Sequence, residues 1–297
     1  MEFIEAKKIV SGYIESNNWF GLNYNMNIYQ GCCHKCIYCD SRSSCYNIID
    51  FDRVRAKKNS TEIIEQDLKS KRKKGVIGTG AMSDPYNPFE KKYLLTREAL
   101  KLIDKYNFGI GIATKSPLIT RDIDLLKRIS EHSEVIVKMT ITTYDDELCK
   151  KVESGVSPSS ERFKAIKELS DNGIYTGVLF MPILPFINDT EENVRAIIKK
   201  AYESGAKFVF SYGIGVTLRH NQREYYYDKL REIYGNDEIV NMYKKVYGES
   251  YECPSPNHIK LSKIFEEECN KYGLKYKMKD IIKDYKNKYE ETQISLF

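Results

Sequence analysis

The chain lacks any long apolar run, and its mean hydropathy of −0.52 speaks against a membrane-spanning helix. Its opening, MEFIEAKKIV, has no apolar core of a secretory signal, so a cytoplasmic, reducing setting is expected. Eight cysteines in such a setting serve metals or packing rather than disulfides. Strong charge of one sign is also missing: the net charge is +5, and the stretch after Val216 carries 15 Lys/Arg against 14 Asp/Glu. A basic nucleic-acid-binding tail is thereby excluded. Basicity concentrates at Lys69 to Lys74 (KSKRKK), read as a solvated helix end, with a nucleic-acid contact as the sharper alternative.

What is present gathers in Gly31 to Asp40, GCCHKCIYCD. Cys32, Cys36 and Cys39 are spaced C-x3-C-x2-C. Thiolates this close can converge on one soft metal centre. A zinc knuckle would need a second CxxC or HxxxH pair to complete its tetrahedron, and none follows. The spacing therefore favours an iron–sulfur cluster over zinc or buried free thiols. Cys33, Cys36 and Cys39 also form C-x2-C-x2-C, a ferredoxin-like start, but the x3-C-P continuation is replaced by Ser43 and Ser44.

Along the chain, strands alternate with helices. Asn25 to Tyr29, Val76 to Gly80, Gly109 to Thr114, Glu134 to Thr143, Tyr175 to Met181 and Lys207 to Tyr212 read as strands. Helices are expected from Glu62 to Lys74 with Ser60 as cap, Thr96 to Lys105, Arg121 to Ser130, Ser159 to Asn172, and from Asp189 or Thr190 to about Ser204. This alternation means an α/β fold with a parallel sheet, either open or barrel-like. Beyond Gly213 the strand signal fades. Arg219 to Tyr234, Ile239 to Tyr247, Ile259 to Tyr272 and Lys279 to Tyr289 read as a helical extension. The expected division is a core of residues 1–215 and an extension of residues 216–297.

In parallel-sheet enzymes, binding groups collect at the C-terminal ends of strands. Gly78, Thr79 and Gly80 allow close backbone approach there, Lys115 offers a cation, and Thr140, Thr142 and Thr143 offer hydroxyls.

The cysteine loop, with Tyr38 before its last cysteine, resembles the signature of the radical S-adenosylmethionine (SAM) superfamily. That resemblance implies a partial (β/α)6 barrel with the cluster loop after its first strand. It implies that Cys32, Cys36 and Cys39 hold three irons of a [4Fe-4S] cluster while the fourth iron binds SAM. Reduction would then yield a 5′-deoxyadenosyl radical that abstracts hydrogen from a substrate. A flavodoxin or ferredoxin would donate the electron.

The finer resemblance is to the spore photoproduct lyase-like branch, also called DNA repair photolyase-like. It is carried by NIYQGCCHKCIYCDSRS, GTGAMSDPYNPFE, LTREAL, TKSPLITRDIDLL, VESGVSPSSERFKAIKELSDNGI and MPILPFINDTEEN. It implies Tyr38 near the adenine, Lys115 on the SAM carboxylate and Thr142 on the ribose, while the close backbone approach at Gly78, Thr79 and Gly80 would serve a SAM amino group or a substrate. Asp84, Tyr86, Glu90, Arg121, Glu153, Arg162 and Asn188 recur in the likeness, as pocket residues or barrel-end ion pairs. One departure stands out. Where spore photoproduct lyase has a hydrogen-donor cysteine, this chain reads Gly80 to Asp84 (GAMSD), without a thiol.

The chain's last residues, Gln293 to Phe297 (QISLF), resemble the bacterial sliding-clamp-binding peptide. Gln293, Leu296 and Phe297 would contact the clamp and bring the protein to DNA. The expected function is radical SAM chemistry on a nucleic-acid or nucleotide-like substrate. The alternatives are a non-catalytic iron–sulfur or zinc protein associated with DNA, and radical modification of a protein or small molecule.

Overall fold

The computed structural model describes residues 1–14 and 18–294, with side chains described to 286. Six strands form its frame: β1 (Tyr24–Met26), β2 (Val76–Thr79), β3 (Gly109–Thr114), β4 (Val135–Thr140), β5 (Thr176–Leu179) and β6 (Phe208–Phe210). They pair in chain order, each parallel to the next. Val10–Ser11 adds an antiparallel edge beside β1, and a single bridge from Lys275 meets Phe208 of β6. The sheet curls without closing, giving the expected partial (β/α)6 barrel.

Helices cover the outer face of this sheet, so its outward residues are apolar. In β4, Val135, Val137 and Met139 face the outer helices and join the main core. Ile136, Lys138 and Thr140 alternate with them and face the lumen. The outer layer comprises α1 (Ser60–Lys69), α2 (Leu95–Lys105), α3 (Ile123–Ile129), α4 (Asp146–Val152), α5 (Ser159–Asp171) and α6 (Glu191–Glu203). The Thr190 hydroxyl accepts from the Asn193 backbone N–H at 3.1 Å and starts α6 as its cap.

Several boundaries differ from expectation. Helix α1 ends at Lys69, so most of the basic run lies in the turn before β2. There Lys71, Lys73 and Lys74 lie over the rings of Tyr24, Tyr13 and Phe108 at 5.4, 5.0 and 4.4 Å. The expected first strand divides into β1 and a short Tyr29–Gln30 segment. That segment pairs with Arg55–Lys57 in a separate small sheet.

The extension holds α7 (His220–Tyr234), α8 (Glu238–Tyr247), α9 (His258–Tyr272) and α10 (Met278–Ile294), matching the four expected helices closely. It is not wholly helical: Gly215–Thr217 pairs antiparallel with Glu252–Pro254. Helices α7 and α8 share an apolar cluster with Cys36, Ile37 and Tyr38 of the cysteine loop. Helix α9 packs on α6. Helix α10 closes the lower end of the barrel, where Ile281, Ile282 and Tyr285 meet Phe20, Phe208 and Phe210. The Tyr285 hydroxyl donates to the Phe20 carbonyl at 2.6 Å. The backbone of Gln293 belongs to α10, while its side chain, Leu296 and Phe297 lie outside the described residues. Among the described residues no helix is long and apolar enough to cross a membrane.

Candidate active site

The cysteine loop lies over the C-terminal ends of the barrel strands and is pinned by backbone contacts. Cys32 N–H donates to the Phe51 carbonyl at 2.8 Å, and Ile37 N–H to the Val152 carbonyl at 3.0 Å. Gly155 N–H donates to the His34 carbonyl at 2.9 Å. A Cβ at Gly155 would stand 2.4 Å from the Cys33 carbonyl oxygen, so the segment after α4 approaches the loop as closely as it does because it lacks one.

This scaffold sorts the four cysteines. Cys32, Cys36 and Cys39 line one cavity of about 90 Å³, together with Gly80, Asp84, Lys115 and Thr140. Cys33 lines a different recess beside Glu2, Asp52 and Arg53. Burial pushes the Cys32 thiol up to about 12, with Asp84 adding to the shift, and raises Cys36 well above its ordinary value. The neighbouring sulfurs of Cys39 and Cys32 add to the rise at Cys36, and a cation among them would reverse it. Among the described residues, no three His, Cys, Asp or Glu side chains close into a metal-binding group. All three cysteines nevertheless border the same space.

Tyr38 is fixed behind the loop. Its hydroxyl donates to Glu153, which pairs with Arg162 at 2.6 Å, both side chains fully buried. Burial works against the Glu153 charge, but Arg162 and Lys115 outweigh it and hold the carboxyl below the ordinary range. Arg162 also donates to the carbonyls of Thr140 at 3.0 Å and Ser157 at 2.9 Å. Glu153 and Arg162 are thus a barrel-end ion pair that orients Tyr38. Glu90 and Arg121 form a second pair at 3.1 Å, away from the cavity.

Asp84 does line the cavity. It accepts from Thr114 Oγ1 at 2.6 Å and from the Lys115 N–H at 2.7 Å, which sets the direction of the lysine. His34 Nδ1 lies 3.5 Å from Asp84. Burial lowers the His34 pKa in spite of Asp84, so this is a polar contact of a neutral imidazole rather than an ion pair.

A second, larger cavity of about 850 Å³ adjoins the first and runs down the lumen. Tyr38, Cys39, Gly78, Thr79, Gly80, Lys115 and Thr140 all line it. Lys115 lines both spaces and lies over the Tyr38 ring at 5.7 Å. Burial disfavours its charge, but the sulfur of Cys36 and the carboxylate of Glu153 outweigh burial and keep it protonated. Gly80 has φ +94°, and a Cβ there would fall 1.8 Å from the Ala113 carbonyl oxygen.

Thr142 lines neither cavity. Strand β4 ends at Thr140, and the Thr142 carbonyl accepts from the amides of Asn188 at 2.8 Å and Asn193 at 3.0 Å. The Thr142 hydroxyl is buried without a hydrogen-bond partner among the described residues, whereas Thr140 lines both cavities. Sequence reasoning missed Lys138, which also lines the larger cavity. Its signal was a cation at a lumen-facing position of an otherwise apolar strand.

A parallel barrel with a thiol loop over its strand ends defines an enzyme whose chemistry is set by what those thiols hold. The model of the radical SAM superfamily matches residues 26–201, and the chain belongs to that superfamily. It is a radical SAM enzyme, and membership implies use of SAM and an iron–sulfur centre in general terms. An uncharacterized protein of Methanocaldococcus jannaschii is 34% identical over 254 residues, covering 84% of this chain and 86% of that protein. One of Mycobacterium tuberculosis is 26% identical over 232 residues, covering 75% and 67%. Spore photoproduct lyase complexed with dinucleoside spore photoproduct superposes with a TM-score of 0.67 over 93% of this chain and 81% of that one. At 12% identity this is a likeness of fold.

Proposed function

We propose that Cys32, Cys36 and Cys39 hold a [4Fe-4S] cluster, and that the enzyme starts radical chemistry on a nucleic-acid or nucleotide-like substrate. One observation carries the reading: the three thiols of the C-x3-C-x2-C register line one cavity, whereas Cys33 lines another. Three cysteines of one short loop bordering one space suit a polynuclear centre held by thiolates. When bound, a cluster with one iron free of protein ligands supplies the electron for reductive cleavage of SAM.

The chain's own groups then have separate tasks. Lys115 neutralises the SAM carboxylate from the junction of the two cavities. The segment of Gly78, Thr79 and Gly80 lines the larger cavity and offers its backbone to SAM. Tyr38, held by Glu153, presents its ring to the adenine. Thr140 offers the ribose hydroxyl contact in place of Thr142. Supporting the substrate class is the fold neighbour, which is complexed with a dinucleoside photoproduct. Gly80 to Asp84 line the thiol cavity without a thiol of their own, so the hydrogen-return step of a spore photoproduct lyase is not part of the proposal. A flavodoxin or ferredoxin as electron donor, a cytoplasmic setting, and clamp binding through Gln293, Leu296 and Phe297 complete it.

The test is SAM cleavage by anaerobically reconstituted protein under dithionite. Wild type and Cys33→Ala are expected to release 5′-deoxyadenosine, and Cys32→Ala, Cys36→Ala and Cys39→Ala are expected to release none. Cleavage surviving in any of those three would overturn the assignment.

A further inference from the structure

Lys138 is 1% exposed, and its ammonium has no carboxylate, hydroxyl or carbonyl partner among the described residues. Its one polar contact is the face of the Phe20 ring, 4.9 Å away. The neighbouring strands make room for it: its partners in register are Ala113 and Gly177. A Cβ on Gly111 would come within 3.4 Å of the ammonium nitrogen. Burial lowers the Lys138 pKa to about 7.

Such a residue is hard to explain as structure. An unpaired buried ammonium opposes folding, and an apolar side chain of similar length would fill the site without that cost. The charged groups lining the two cavities do not relieve it. Lys115 is of like sign, Asp40 is engaged by Arg219 at 2.8 Å, and Asp84 is taken by Thr114 and Lys115.

The wall beside Lys138 is aromatic. Trp19, the chain's single tryptophan, lines the same cavity while 44% exposed. Phe20 touches both partners, its ring lying 5.5 Å from the Trp19 ring and 4.9 Å from the ammonium. A flat ring surface and an unpaired cation joined by one residue match a base and a phosphate of one molecule. A volume of about 850 Å³ lies near the top of the range for small-molecule sites, which leaves space beyond the segment assigned to SAM.

We propose that Lys138 is the anion anchor of the substrate site, receiving a phosphate of a nucleotide whose base lies against Trp19. This rests on the reading above for the substrate class, but it can fail separately. Full-length reconstituted protein is titrated by calorimetry with thymidine 5′-monophosphate, thymidine and inorganic phosphate. Wild type, Lys138→Met and Lys138→Arg are compared, and thermal unfolding is recorded for each.

The expected result is that Lys138→Met raises the unfolding temperature and weakens the nucleotide at least about tenfold. Thymidine is expected to bind both proteins equally, and Lys138→Arg to keep part of the nucleotide affinity. Equal nucleotide affinity in wild type and Lys138→Met, or no nucleotide binding in either, would overturn the anchor. So would a lower unfolding temperature for Lys138→Met, since it would make the lysine structural. Phosphate binding as tightly as the nucleotide would remove the role of Trp19 and with it the nucleotide. Release of 5′-deoxyadenosine by wild type is measured alongside. Its absence would sink the superfamily chemistry as read, while its presence with no Lys138 effect would sink the anchor alone.

Discussion

Single residues at the strand ends decide whether the lumen exists. Gly80 combines φ +94° with backbone 1.8 Å from where its Cβ would stand, so both strain and collision oppose any side chain. Gly173 is the control: its φ of +77° is similar, but nothing lies within 4 Å. Gly173→Ala is expected to cost about 1 kcal/mol from strain alone, and Gly80→Ala about 3 kcal/mol or more. Urea denaturation of the two variants checks this, and equal losses would refute the collision argument. Lys138 makes a pH-dependent prediction with a definite sign. Its folded value of about 7 lies below the ordinary 10.5, so between those values the unfolded chain holds a proton that the folded chain has released. Stability of the wild type therefore rises across that window, by at most about 1.4 kcal/mol per pH unit from this group. The advantage of Lys138→Met is expected to be full below about pH 7 and to shrink as pH rises towards 10. Other groups titrate equally in both proteins, so the difference isolates this lysine. A gap that stays constant from pH 6 to about 10 would refute it.

At the scale of elements, α10 does more than finish the chain. Ile281 is fully buried against the lower end of the barrel, beside Phe20 and Phe208. Ile281→Ala is expected to cost about 2–4 kcal/mol, as for other buried aliphatic truncations, and to loosen Phe20, the floor under Lys138. Denaturant unfolding gives the cost, and a loss below about 1 kcal/mol would mean α10 is not a true closure. That the extension is helical was legible, because Gly235 and Gly273 punctuate apolar periodicity. Strand β3 was legible to the residue, since GIGIAT lies between Asn107 and the Ser116–Pro117 stop. What stayed hidden were elements stabilised by distant partners. Gly215–Thr217 becomes a strand because Glu252–Pro254 lies beside it, and no local pattern marks either. The same limit hid which hydroxyl lines the larger cavity. Alternation carries Lys138, Thr140 and Thr142 to one face, but Asn188 and Asn193 end the strand before Thr142 is reached. Lys138 went unread because a lumen-facing cation cannot be told from a surface one until the barrel's faces are known.

Across the whole molecule, the site is enclosed by parts distant in sequence: the cysteine loop with α7 and α8 above, and α10 with Phe20 below. The chain's net charge of +5 gives no strong general attraction to DNA, so under the proposed function delivery to a nucleic acid would need a specific contact. The QISLF terminus is the candidate for that contact. The anchors of α10 described here, Ile281, Ile282 and Tyr285, all precede it in the chain. Deleting residues 293–297 is expected to leave the floor of the barrel in place and to change the unfolding free energy by less than about 0.5 kcal/mol. Binding to an immobilised bacterial sliding clamp, read by surface plasmon resonance, is expected for the full chain and lost in both the deletion and Phe297→Ala. SAM cleavage in the absence of clamp is expected to persist in both. Clamp binding that survives Phe297→Ala would remove the peptide from the reading. A deletion that costs several kcal/mol would show instead that the terminus packs on its own barrel, leaving the basic turn at Lys71 to Lys74 as the remaining surface for a nucleic acid.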